Sequence, residues 1–314
     1  MRTFTIDDVY LEDLINPHQL PDISKYKCLS SNKDILNKVL LEDLGQKINI
    51  DTSTLAIYHN WFLINNKYYY FKYHYIFEEL FIEKIFTMFN VPCVSHTIVK
   101  CNHKVGIISE NFRKSNCEYL NYNEVTSSKI DIPLHIINYN NKISTKMTST
   151  DYQNYLDLIS KIIAIDILFG EFDHNYYNII FEKSSSHLKL APMFDNGDIF
   201  KEDDSNTYLF ESCFDTLSFS LNSKHTDDHT IETIKYFPEL FTNLELAINI
   251  NLNKIYNLLE RDYQLHIYKE LKNQIQNYYD NHCKMVEKSL KLVKSIWLKI
   301  IRKYVNIHIT KKGD

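Results

Sequence analysis

Residues 164–200 read AIDILFGEFDHNYYNIIFEKSSSHLKLAPMFDNGDIF. The stretch opens in an apolar run that ends as a helix at Gly170. A loop then presents Asp173, and Asn178 follows five residues later. Two short apolar runs, 178–181 and 188–190, flank Ser184-Ser185-Ser186, which predicts a hairpin. Asp195-Asn196-Gly197-Asp198 closes the unit. One Asp or Asn in a loop is usually a turn former. Here the ordered set matters, because the hairpin returns the chain and brings several oxygen donors to one edge. The chain holds only five glycines in 314 residues, and Gly170 and Gly197 both fall in this stretch. Glycine kept where it is scarce answers a backbone need, either positive φ or a close approach.

Phosphoryl transfer requires such a set. A carboxylate must orient and deprotonate the attacking hydroxyl, and oxygen ligands must hold Mg²⁺ on the phosphates. The spacing assigns Asp173 as the catalytic base and Asn178 and Asp195 as Mg²⁺ ligands. The same chemistry needs a strand-borne lysine for the nucleotide phosphates, paired with a helix carboxylate. Lys72 lies in Tyr68-Tyr-Tyr-Tyr-Phe-Lys-Tyr and is the one cation inside that strand pattern. A solvent-facing lysine on an exposed strand is the competing reading.

Outward from these residues, texture divides the chain. Residues 55–64 and 67–75 are aromatic and branched around Asn65-Asn66, a hairpin pattern. A helix is expected over 77–89, ending before Pro92, then two strands at 93–100 and 104–109 around Asn102-His103. An earlier helix is expected over 34–44, ended by Gly45. Residues 114–149 are polar and irregular apart from a strand at 132–137, and helices are expected over 152–169 and in several pieces over 230–304. The expected fold is α+β and two-lobed, protein-kinase-like: a β-rich N-lobe over 1–110 and a mainly helical C-lobe over 111–314.

The run Asp166, Gly170, Asp173, Asn178, Pro192, Asp195, Gly197 resembles the HipA-like Ser/Thr protein kinase family. Its members carry D-x-x-x-G-N-x-D-R-H-x-x-N, then a strand and P-x-x-D-x-G. The likeness is to the short forms of the HipT and CtkA type, which lack an extra N-terminal domain. It implies ATP and Mg²⁺ as cofactors and transfer to a protein Ser or Thr. It also implies Glu79 as the partner of Lys72, eleven residues before Asn90-Val-Pro, with Glu78 and Glu83 as rivals on the same helix. Ile107 to Phe112 resembles the family's hinge, so backbone at Glu110 and Phe112 would bind adenine. The family also implies a bacterial toxin with an antitoxin partner, autophosphorylation and a cytoplasmic setting; an effector translocated into a host cell is the second setting.

Two positions depart from the family pattern: His174 stands for Arg and Asn175 for His. No glycine-rich loop precedes Lys72; a Ser/Thr loop at Asp51 to Thr54 is the candidate cover, with Thr52, Ser53 and Thr54 as modification sites. A lipid or small-molecule kinase, a pseudokinase and a non-enzymatic module remain open alternatives. Net charge is −5, which argues against direct nucleic-acid binding as the main task. No run approaches the ~20 apolar residues of a membrane span. Six scattered cysteines without a C-x-x-C pair argue against structural zinc and a disulfide framework. Residues 284–303 carry seven basic groups against Glu287, read here as the wet face of a packed helix. Residues 201–228 hold Ser and Thr hydroxyls where kinases place an activation or substrate loop.

Overall fold

The computed structural model describes residues 9–29, 59–126, 143–171, 178–197, 199–200 and 228–310. The expected helix at 34–44, the strand at 132–137, the Ser/Thr loop at 51–54 and most of 201–228 lie outside the described residues. The chain divides into two compact units. The first comprises Met1–Tyr119, Pro192–Gly197 and Leu252–Gln274; the second comprises Leu120–Ala191, Asp198–Asn251 and Ile275–Asp314.

The first unit is built on a five-stranded antiparallel sheet in the order β1-β2-β3-β5-β4. Its strands are β1 (Lys27–Leu29), β2 (His59–Ile64), β3 (Lys67–Lys72), β4 (His96–Cys101) and β5 (Lys104–Glu110). Both tight hairpins use Asn where the chain must turn with positive φ. Asn65 and Asn66 sit at φ 51° and 62°, and Asn102 and His103 at 47° and 69°. Those left-handed pairs match the twist of the flanking strands, so the register Phe62↔Tyr69 follows from the turn. One sheet face packs Phe62, Ile64, Phe71, Val99 and Ile108 with Ile23 into an apolar cluster. The edge strand β1 is not legible in the sequence; three residues, Lys-Cys-Leu, carry no alternation to read.

Between β3 and β4 runs α2 (Ile76–Met88), after a short α1 (Leu11–Leu14). Residues 76–86 of α2 are all buried, charged ones included. A helix buried on every side must find partners for its carboxylates. α6 (Leu252–Tyr263) lies against it in the same unit, with the Phe81 and Tyr256 rings 6.5 Å apart.

In the second unit, β7 (Ile180–Lys183) and β8 (Leu188–Leu190) form the expected hairpin, with Phe181 opposite Leu190. A three-stranded sheet in the order β6-β7-β8 includes β6 (Glu118–Asn121). Residues 118–126, within the stretch expected to be polar and irregular, are regular, since α3 (Tyr122–Thr126) follows β6 directly. A capping box explains it: Asn121 N–H donates to Glu124 at 2.7 Å and Glu124 N–H to the Asn121 side chain at 2.9 Å.

α4 (Ser149–Phe169) starts on Thr148, whose hydroxyl accepts from Asp151 N–H at 3.1 Å. It stops at Gly170, at φ 69°, where the Gly170 and Glu171 N–H groups both reach the Asp166 carbonyl, at 2.8 and 3.2 Å. Positive φ there explains this glycine. Gly170→Ala is expected to cost about 1–2 kcal/mol, read as a lowered urea midpoint at unchanged slope.

α5 (Asp228–Ala247) and the long α7 (Lys269–Thr310) complete the set. From residue 275 onward α7 buries Val286, Leu290 and Val293, and Trp297 meets Phe241 of α5 edge-on at 5.8 Å. Lys284, Lys288, Lys291 and Lys299 stay exposed. Among the described residues no helix is long and apolar enough to cross a membrane.

Candidate functional site

The pleat of β3 sends Phe71 and Lys72 to opposite faces. Phe71 enters the apolar cluster, while Lys72 goes to the face that carries Tyr70 and Trp61, whose rings are 5.2 Å apart. Lys72 is not a surface lysine, for its side chain is only 8% exposed. A buried ammonium needs compensating charge. Its Nζ donates to Glu79 Oε1 at 2.6 Å and to Asp195 Oδ1 at 2.7 Å.

Each partner is placed by its own element. Glu79 stands in the first turn of α2, one turn after Tyr75, which starts the helix at φ 52°. An acidic side chain there also meets the positive end of the helix dipole. The second Glu79 oxygen accepts the Asn196 N–H at 3.0 Å, so one carboxylate joins β3 to the segment 192–197. That segment is tied to the turn after α2: Met193 N–H donates to the Pro92 carbonyl at 2.8 Å, and Val94 N–H to the Met193 carbonyl at 2.9 Å. Asp195 follows at φ 57°, a left-handed conformation that Asp tolerates, with its side chain 45% exposed.

Gly197 answers the second backbone need, close approach. A Cβ placed there would lie 2.7 Å from Tyr75 Cβ and 3.1 Å from Lys72 Nζ.

Electrostatics follow from this packing. Burial alone would lower the Lys72 pKa, but the charges of Glu79 and then Asp195 outweigh it and hold it above the ordinary lysine value. The ammonium is therefore fully charged through the neutral range. Burial, then the Asp195 carboxylate, pushes the Tyr70 phenol up, so it stays protonated beside the cluster.

Of the rival carboxylates, Glu83 is engaged elsewhere: Tyr263 Oη donates to it at 2.6 Å and His96 Nδ1 lies 2.8 Å from it. Glu78 is buried too. Glu110 forms a surface pair with Lys67 at 2.8 Å, across from Tyr69. Asn111 N–H is taken by the Tyr68 carbonyl at 2.9 Å. The Phe112 ring lies 5.7 Å from that of Phe194 and 5.8 Å from that of Tyr119.

In the second unit, Asp166 and Asn178 are buried, and Asn178 immediately precedes Ile179, whose carbonyl accepts the Tyr122 N–H at 3.1 Å. Asp173, His174, Asn175 and Asp198 lie outside the described residues. The first unit thus gathers Lys72, Glu79 and Asp195. Sequence reasoning missed the Asn196 amide and the Glu83 cluster. A main-chain donor leaves no side-chain signal, but the i, i+4 spacing of Glu79 and Glu83 on a largely apolar helix is readable in the sequence.

No protein-family model matches the chain, and no curated protein sequence matches it. Solved structures do match, two of them as follows. Helicobacter pylori proinflammatory kinase CtkA aligns at 14% identity over 78% of this chain and 93% of its own, with a TM-score of 0.44. A chain of the Shewanella oneidensis MR-1 HipA, HipB and operator DNA complex aligns at 10% identity over 88% of this chain and 74% of its own, with a TM-score of 0.50. The fold is HipA-like. At 10% identity the HipA-like likeness is one of architecture, a small antiparallel sheet joined to helices, and the residues above stand on their own geometry.

Proposed function

We propose that this chain is a Mg-ATP-dependent phosphotransferase that transfers the γ-phosphoryl group to a protein Ser or Thr. The observation that carries the reading is the buried Lys72 ammonium held between Glu79 and Asp195 at 2.6 and 2.7 Å. Lysine so placed can exchange one carboxylate for phosphate oxygens without crossing solvent, while Glu79 keeps it aimed. Asp195 is the partner suited to leave, since it is far more exposed than Glu79.

On the spacing of the sequence, magnesium is assigned to Asp195 and Asn178, hard oxygen donors of the kind that fit it. Bound magnesium would neutralise the phosphate charge that builds during transfer. Asp173 would accept the proton of the attacking hydroxyl as its oxygen bonds to the γ-phosphorus and the bridging bond to ADP breaks. Backbone near Glu110 and Phe112 would take the adenine. The HipA, HipB complex makes an antitoxin-type protein a candidate partner, and the Thr52 to Thr54 loop is the candidate for autophosphorylation.

His174 and Asn175, standing where the family has Arg and His, favour a second reading: a pseudokinase that binds Mg-ATP without turnover. Intact mass after incubation with Mg-ATP separates the two, with Asp173→Asn in parallel. Added phosphoryl mass in the wild type and none in the variant is the expected result. Mass gain in both would remove Asp173 from its role. Nucleotide binding without mass gain, with candidate protein substrates also unmodified, would leave the pseudokinase.

A further inference from the structure

A second set of charges on α2 lies one turn beyond Glu79. Glu83 is buried, and its carboxylate is shared by three elements of the first unit. Tyr263, the last residue of α6, donates its hydroxyl to Oε1 at 2.6 Å. His96, the first residue of β4, brings its backbone N–H to Oε2 at 3.1 Å and its Nδ1 to 2.8 Å. Lys84 adds a 3.2 Å contact to Oε1, reaches the Tyr263 hydroxyl at 3.2 Å, and pairs with Asp262 at 3.2 Å. The same ammonium sits 4.2 Å from the Tyr263 ring centroid.

Burial, the largest influence, would raise the Glu83 pKa; the hydrogen bonds from His96 and Tyr263 and the charges of His96 and Lys84 override it and hold it low. Burial and then the Glu83 charge push the Cys93 thiol up to about 12, so the sulfur at this cluster is an inert thiol. No step of the proposed chemistry uses any of these groups.

Residues four apart on a helix share a face, about one turn of 5.4 Å from each other. Fixing Glu83 therefore fixes both the rotation and the axial position of Glu79. We propose that Tyr263 and Glu83 are positioning residues: the pin they form between α6 and α2 sets Glu79 against Lys72 and the Asn196 amide. Regulation of the site follows from that geometry. Anything that draws the end of α6 away from α2 releases Glu79 and leaves Lys72 with Asp195 alone. This inference rests on the proposed function for its consequence and on the ion pairs for its content.

The test reads Lys72 directly and needs no nucleotide. Trace labelling of the folded protein with an amine-acylating reagent, quantified by peptide mass spectrometry, reports how well each lysine is protected. In the wild type Lys72 is expected to be among the slowest, being buried and held charged. Tyr263→Phe removes one hydroxyl, and the rate at Lys72 is expected to rise about tenfold, with surface lysines such as Lys288 unchanged. Tyr256→Phe is the control, because its hydroxyl on the same helix bonds the Lys272 carbonyl at 3.3 Å and makes no contact with Glu83. A merely structural role for α6 would move both variants alike, and that result overturns the proposal, as does an unchanged Lys72 in Tyr263→Phe. Should Tyr263→Phe fail to fold, Asp262→Asn, which meets the pin through its 3.2 Å pair with Lys84, is expected to shift Lys72 in the same direction. A wild type that binds no Mg-ATP would sink the proposed function, yet the labelling would still decide the pin.

Discussion

Lys72→Met is expected to abolish phosphoryl gain from Mg-ATP and to destabilise the first unit by about 3–5 kcal/mol, the cost of stranding a buried charge. The size follows from who is left behind. The Glu79 side chain is 2% exposed, and without the ammonium only the Asn196 N–H at 3.0 Å still answers it among the contacts described above. Asp195, at 45% exposure, can turn to water and contributes little to the loss. Glu79→Gln is the informative companion. Its amide oxygen still accepts a hydrogen bond, and removing both charges of a pair costs less than removing one, so Lys72→Met combined with Glu79→Gln should recover part of the stability. Urea unfolding gives the stability and intact mass gives the activity. A Lys72→Met protein that keeps both its unfolding midpoint and its phosphoryl gain would remove Lys72 from the nucleotide site.

Gly197→Ala has the next largest expected effect. The added methyl would enter within 2.7 Å of Tyr75 Cβ, a backbone-borne atom at the start of α2 that cannot swing away. Either Tyr75 moves, carrying the first turn of α2 and Glu79 with it, or residues 195–197 back off and draw Asp195 from Lys72. Both routes open the Lys72 cluster. The expected loss is about 1–3 kcal/mol of stability, with a larger fall in Mg-ATP affinity than that loss explains. Isothermal titration beside thermal melting separates the two quantities. An affinity that falls no further than stability would mean that the methyl is absorbed away from the cluster.

The sequence and the structure meet most closely where local chemistry has one solution. Asn65-Asn66 could only be a left-handed turn between two aromatic strands, and the strand register came with it. Gly170 is needed at positive φ, and Gly197 where a methyl has no room; scarcity of glycine had marked both. What was not legible is of three kinds. β1 is too short to carry a pattern and exists because β2 offers an edge. The Asn196 amide is a main-chain group, so no side chain announces it. The third kind is non-local: nothing in residues 76–88 says that Glu83 will find Tyr263, 180 positions later. Glu79 was separated from Glu83 by family resemblance rather than by residues. Physically the distinction is clear only once β4 and α6 have claimed the second carboxylate.

The segments 192–197 and 252–274, which complete the first unit, emerge long after its sheet. At a synthesis rate of about 5–20 residues per second, the interval between residue 119 and residue 274 lasts roughly eight to thirty seconds. For about the first half of it Asp195 has not yet been made to join Lys72 and Glu79, and the flank of α2 that α6 will cover stays open until near its end. The cluster around Lys72 is therefore completed late, by segments far along the chain from the sheet that carries Lys72. On the function proposed above, Mg-ATP would find its complete set of partners only after both later segments are in place.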